Sequence, residues 1–142
     1  MEMRKATAQD IKAVYRLLCE LEHMILPFDA FYEVYNGNLY DPLIHYYVCE
    51  IESCVIAFAS LHIQPLLHHC AHIAEIQEII VQSEHQRNGI GQLLFQRLEA
   101  IAREAGCEWM EVCCNQKNTP ALRFYESRGM KNTHNKLTFP LL

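Results

Sequence analysis

The segment EHQRNGIGQLLFQRLEA places Gln86-x-x-Gly89-x-Gly91 at the mouth of an apolar helical stripe. A glycine inside a helix costs ~1 kcal/mol relative to alanine, so two of them need a compensating gain. A helix N-terminus carries unpaired N–H groups and a partial positive charge, which suit a phosphate. Glycine clears the approach to that backbone and permits a tight turn. The pattern therefore reads as a phosphate cradle. It is not a Walker A loop, because no lysine follows the second glycine, and not a dinucleotide fingerprint, because Leu94 occupies the third glycine position.

Three further groups could do chemistry. The strand-like run HIAEIQEIIV carries Glu75 and Glu78; strict alternation puts Glu75, Gln77 and Ile79 on one face and Ile76, Glu78 and Ile80 on the other, so the two carboxylates are not expected to form a close pair. His62, His68, His69 and His72 fall within eleven residues, a density that suggests metal. Yet no H-x-H or H-E-x-x-H spacing occurs, and alternation separates His68 from His69, which favours solvated or substrate-facing histidines. Finally, NTPALRFYESRG offers Tyr125 on a short amphipathic helix.

The elements that must position these groups are legible in outline. MRKAT reads as a first strand running into Thr7-x-x-Asp10, a capping-box-like start. Ile11, Val14, Leu18, Leu21 and Ile25 then mark an amphipathic helix that Pro27 ends. A weaker helix is predicted over 29–36. HYYVCEI, CVIAFASLHI and HIAEIQEIIV read as three strands of an antiparallel meander. Ile90, Leu94, Leu98, Ile101 and Ala105 form the next helical stripe, closed by Gly106, and CEWMEVCC is another strand. In the last helix Thr119 is the predicted N-cap, Pro120 the first helical residue and Gly129 the terminator. KLTFPL is predicted as a final strand. The implied class is α/β, a mixed, mostly antiparallel twisted sheet flanked by about four helices, in a single domain over residues 1–142.

Gln86-x-x-Gly89-x-Gly91 directly after a long strand resembles the pyrophosphate-binding motif of the GNAT superfamily of acyl-CoA N-acyltransferases. Asn118, Ala121, Phe124, Tyr125 and Gly129 match that superfamily's N-x-x-A-x-x-F-Y-x-x-x-G pattern at the expected distance. Together with AVYRLLCELE and NGNLYDPLIHYYV, the segment LHIQPLLHHCAHIAEIQEIIV is similar to the aminoalkylphosphonate N-acetyltransferase family, although Ala74 stands where those members carry glycine. The resemblance implies transfer of acetyl from acetyl-CoA to the primary amine of a small molecule, such as an aminoalkylphosphonate. It implies pyrophosphate contacts at Gln86, Arg87, Asn88, Gly89, Ile90 and Gly91. The pantetheine arm would lie along Ile79, Ile80 and Val81, with Asn118 nearby. Tyr125 would protonate the departing thiolate, and Glu75, the first glutamate of E-I-Q-E, would be the base with Glu78 in reserve. His62, His69, Glu78 and Arg16 are candidates for the acceptor site; a divalent ion bridging carboxylate and phosphonate stays open. An acetyltransferase acting on a protein or peptide amine, or a non-catalytic acetyl-CoA sensor, are the alternatives.

Composition agrees with this class. With 142 residues, net charge −5 and 51 % apolar residues, the chain lacks the basic balance of general nucleic-acid binders. No apolar run approaches the ~20 residues that span a bilayer, and the N-terminus lacks the apolar core of a signal peptide. Seven cysteines, an odd number without C-x-x-C, read as free thiols in a reducing cytoplasm. The apolar C-terminal edge would find a partner, such as a second copy in a homodimer.

Overall fold

A computed structural model describes the whole chain, Met1–Leu142. β1 (Glu2–Lys5) leads through a short 3-10 turn to α1 (Ile11–Glu22) and α2 (Phe28–Leu39). The meander follows as β2 (Ile44–Ile51), β3 (Cys54–Leu66) and β4 (Ala71–Val81), then α3 (Ile90–Glu104), β5 (Trp109–Val112) and α4 (Thr119–Ser127). The sheet runs β1-β2-β3-β4-β5, antiparallel throughout except for the parallel β4–β5 pair.

Both faces of the sheet are covered, which explains why β3 is buried without interruption from Ile56 to Leu61. Ala57, Ala59, Leu61 and Ile63 pack toward Leu94 and Leu98 of α3. On the other face Phe58, with Val48 and Ile80, meets Val14, Leu17 and Leu18 of α1 and Tyr35 of α2. Asp10 ties α1 to β1: its carboxylate takes two hydrogen bonds from Arg4, at 2.8 and 2.9 Å, and one from the Thr7 backbone at 2.7 Å. The Arg4 guanidinium holds the Asp10 carboxyl below its ordinary range.

β4 departs from regular alternation. Ser60 lies opposite Glu78, but the next residue, Leu61, lies opposite Ile76, so Gln77 is an extra residue. Residues directly opposite in a ladder share a face. Glu78 thus faces with Ser60, and Glu75, opposite His62, faces the same way. The expected separation of the two glutamates onto opposite faces is therefore corrected by the bulge. Pairing with β5 stops at the same place, covering only Ile73–Ile76, so β4 from Gln77 to Val81 runs on without a neighbour on that side.

Several boundaries differ from expectation. α1 ends at Glu22, because His23 turns left-handed at φ +55°, so Ile25 is exposed and Pro27 caps α2 instead of ending α1. β3 runs on to Leu66 and β5 spans only Trp109–Val112. α2 extends to Leu39, past the predicted end at 36. The N-cap of α4 is Asn118, not Thr119, because its side chain accepts the Ala121 N–H and so satisfies an orphan donor. The predicted final strand KLTFPL does not form: residues 131–142 are exposed and irregular. β5 offers only a four-residue edge and Pro140 cannot donate to a ladder. Few hydrogen bonds would offset an ordering cost of ~1–2 kcal/mol per residue.

The two motif glycines do different work. Gly89 sits at φ +79° as the N-cap of α3, with open space where a Cβ would project. Gly91 has an ordinary helical backbone, and a Cβ there would lie 3.6 Å from the Phe124 ring, in normal contact. We predict that Gly89→Ala lowers stability by about 1–2 kcal/mol, the cost of a left-handed L-residue, whereas Gly91→Ala is neutral or stabilising. Chemical denaturation of both variants checks this; equal losses would contradict the assignment.

Candidate functional site

The site begins where β4 hands the chain to α3. The Gln86 side chain donates to the carbonyl of Val81 at 2.9 Å and so clasps the loop onto the strand end. Arg87 is held at φ +66° and Gly89 at +79°, which turns the backbone sharply into the helix. The first intrahelical bond there is Leu93 N–H to Gly89 carbonyl, 3.1 Å. The earlier amides at the α3 N-terminus point outward from the helix, and the loop side chains around them are exposed. Together with the Arg87 charge, this is a surface suited to a diphosphate.

Beside it lies the free edge of β4. Ile79 and Val81 pack on the α3 side and Ile80 packs into the α1–α2 core, so their side chains hold the strand while its outer backbone edge stays unpaired by β5. An extended chain can add to such an edge.

On the α1–α2 face a cavity of about 410 Å³ opens between α1, α2 and the sheet. Val14, Leu18, Phe31, Tyr35, Tyr46 and Phe58 give it apolar walls; Glu22, Asn38, His62, Gln77 and Glu78 are its polar groups. Glu78 is fixed at both ends by Ser60, which is fully buried: the Ser60 hydroxyl donates to the carboxylate, and its oxygen accepts the Glu78 N–H at 3.1 Å. Burial pushes the Glu78 carboxyl up, the Ser60 hydrogen bond and nearby His62 pull it back in part, and Glu22 pushes it up further. The net rise brings the carboxyl toward the range of a general base.

Tyr125 approaches from the other side. Asn118 caps α4, and the aromatic contacts Phe124–Tyr125 (ring centroids 5.2 Å) and Phe95–Tyr125 (6.4 Å) fix its ring. Phe124 is also the residue that Gly91 lies against, so the two sequence motifs meet in space. Tyr125 is 8 % exposed. Burial raises its phenol, and the Cys114 and Glu78 charges raise it further, keeping it protonated well above the usual tyrosine range.

Of the residues singled out from the sequence, the structure brings together the cradle Gln86–Gly91, the Ile79–Val81 edge, and His62 with Glu78 in the cavity. Glu75 does not line the cavity; its carboxylate accepts a hydrogen bond from the Cys113 thiol at 3.7 Å, toward β5. Arg16 is exposed and lies off the Val14–Leu18–Glu22 stripe through which α1 reaches the cavity. His69 sits in the exposed turn beyond β3, ring to ring with His68 at 4.3 Å. No three His, Cys, Asp or Glu side chains converge as a metal-ligating group. Sequence reasoning missed Ser60, Glu22 and the aromatic wall. A serine inside an otherwise apolar strand was the one available signal for Ser60.

The family profile described as "Acetyltransferase (GNAT) family" matches residues 11–130. The chain belongs to that family and is an acetyl-CoA-dependent N-acetyltransferase. Over 137 residues it is 39 % identical to an aminoalkylphosphonate N-acetyltransferase from Salmonella typhimurium, a match covering 96 % of this chain and 89 % of that protein. Among solved structures, a transcriptional regulator from Bacillus halodurans superposes with TM-score 0.90 at 21 % identity, covering 99 % of both chains. An aminoglycoside N-acetyltransferase, AAC(6')-Iy in complex with CoA, superposes with TM-score 0.87 at 16 % identity over 98 % of this chain and 93 % of that one. No helix is long and apolar enough to cross a membrane.

Ser60 is a positioning residue for Glu78, and its hydrogen bond lowers the Glu78 pKa. A general base works deprotonated, so with Glu78 in that role acetyl transfer would rise as pH passes upward through its pKa. Ser60→Ala is expected to move that acid limb of kcat/KM to higher pH, while Ser60→Thr, which keeps the hydroxyl, restores it. An unmoved limb in Ser60→Ala would show that Glu78 does not set it.

Proposed function

We propose that the chain, a single domain over residues 1–142, moves acetyl from acetyl-CoA to the primary amine of a small molecule by direct attack. The diphosphate of acetyl-CoA binds the amides of Gln86–Gly91 with Arg87, and the pantetheine arm adds to β4 along Ile79–Val81. The acceptor enters the cavity under α1 and α2. Glu78 takes a proton from its ammonium, and the freed nitrogen attacks the thioester carbon. The C–N bond forms, negative charge gathers on the carbonyl oxygen beside the β4 backbone amides, and the C–S bond then breaks. Tyr125 supplies a proton to the leaving thiolate, and the second proton that the nitrogen sheds as the amide forms passes to the tyrosinate and restores it. The raised pKa of Tyr125 keeps its phenolic proton available at every ordinary assay pH.

The observation that carries this reading is the placement of Glu78: a carboxyl with a raised pKa, clamped by a buried serine, in a cavity beside the open strand edge. Glu78 is therefore preferred to Glu75 as the base. The name of the 39 % identical relative puts an aminoalkylphosphonate among the acceptors to be compared.

The test is product mass after incubating acetyl-CoA with a panel of amines, using the wild type and three variants. Glu78→Gln is expected to lower kcat/KM by ~10²–10⁴-fold, the usual worth of a general base. Glu75→Gln should stay within about tenfold of wild type. Tyr125→Phe should reduce kcat with acetyl-CoA affinity nearly intact. A large loss in Glu75→Gln with little in Glu78→Gln would return the base to Glu75. No product from any amine would sink the reading.

A further inference from the structure

The cavity that this reading takes as the acceptor site has a charge pattern of its own. Residues 17–86, which include the second half of α1, all of α2 and the whole β2–β4 meander, contain no lysine or arginine. The same stretch holds ten of the seventeen Asp and Glu residues. Four of the twelve Lys and Arg precede it, and the other eight begin at Arg87, on the diphosphate side. Among the groups lining the cavity, Glu22 and Glu78 are carboxylates and only His62 can carry a positive charge. A phosphonate or phosphate placed here would be desolvated beside two carboxylates with no fixed cation to pair with it, a costly arrangement.

The walls suggest what does fit. Phe31, Tyr35, Tyr46 and Phe58 form a continuous run of rings, with successive centroids 6.0, 5.3 and 5.3 Å apart; Phe31 and Tyr46 are half-buried and present surface to the cavity, while Tyr35 and Phe58 are buried and pack behind them. The hydroxyls at the two polar tips are engaged by the protein: Tyr35 donates to the Thr7 carbonyl at 2.8 Å, and Tyr46 accepts from the Asn38 amide at 2.8 Å. Tyr46 lies directly opposite Ser60 in the β2–β3 ladder, and Ser60 holds Glu78 on the next strand. A ligand lying along the rings thus has its far end against apolar walls and its near end at a carboxylate.

Resting on the proposed acetyl transfer, we infer that the acceptor is a primary amine with an apolar or aromatic body and no anionic group, its ring or chain seated against Phe31 and Tyr46 and its ammonium at Glu78. This chain therefore differs from its 39 % identical relative in the acceptor it takes. The aromatic wall supplies affinity through area and ring contact, and the missing cation discriminates against phosphonates.

The experiment compares kcat/KM for 2-phenylethylamine, hexylamine, putrescine and 2-aminoethylphosphonate with acetyl-CoA, with and without added magnesium, read by product mass. Phenylethylamine or hexylamine is expected to exceed the phosphonate by at least ~10-fold. A second variant gives an independent reading: Val34→Arg, at an exposed position on the cavity wall, should narrow that ratio by about tenfold by supplying the missing phosphonate partner. Preference for the phosphonate, in either metal condition, overturns the inference while leaving the acetyl-transfer reading intact. Preference for putrescine also overturns it, and points to Glu22 as a second ammonium site. If acetyl-CoA binds but none of the four amines is acetylated, calorimetric titration of phenylethylamine into the acetyl-CoA complex decides: absence of binding overturns the inference, and binding without product overturns the assigned chemistry alone.

Discussion

One residue too many in β4 shapes the site. Gln77 has no counterpart on β3, and the bulge it makes shifts the alternation by one position, so that Glu78 faces the α1–α2 cavity beside Ser60 while Ile76 stays in the α3 core. It falls where pairing with β5 stops. The same local irregularity therefore accompanies both halves of the candidate site, an unpaired strand edge on one side and a cavity with a raised-pKa carboxyl on the other. A regular strand would satisfy the ladder, but would send Glu78 or Ile76 to the wrong face.

The second organising feature is the separation of charge along the chain. The α3 N-terminus and eight of the twelve lysines and arginines, from Arg87 onward, belong to the C-terminal half. The cavity under α1 and α2 is acidic and aromatic. An acetyltransferase must hold a polyanionic cosubstrate and deprotonate a cationic amine within one small sheet. With no fixed cation beside it, the Glu78 carboxyl is raised, through burial and the nearby Glu22, rather than depressed by an ion pair, which suits the base role proposed for it.

Much of this was legible in residue spacing. The helical stripes of α1 and α3, the three-strand meander and the glycine cradle follow from apolar periodicity and turn chemistry, and the aromatic pair in α4 was visible as a motif. What was not legible depended on tertiary context. Alternation read Glu75 and Glu78 onto opposite faces, because a bulge cannot be seen in HIAEIQEIIV without the partner strand. The resemblance favoured Glu75, whereas the cavity contains Glu78. KLTFPL has the composition of a strand, yet a strand exists only where an edge receives it, and β5 is four residues long. Arg16 and His69 were plausible as cations by type, but helix phase and hairpin length carry them away from the cavity.

In the proposed mechanism acetyl-CoA lies on the free edge of β4 with its diphosphate on the N-terminus of α3. Backbone amide NMR of the ¹⁵N-labelled protein during titration with acetyl-CoA tests this directly. The largest shifts are expected in two groups, Gln86–Gly91 and Gln77–Val81, with β1 and β2 little affected. Saturable binding that shifts amides elsewhere, and leaves both groups unmoved, would contradict it.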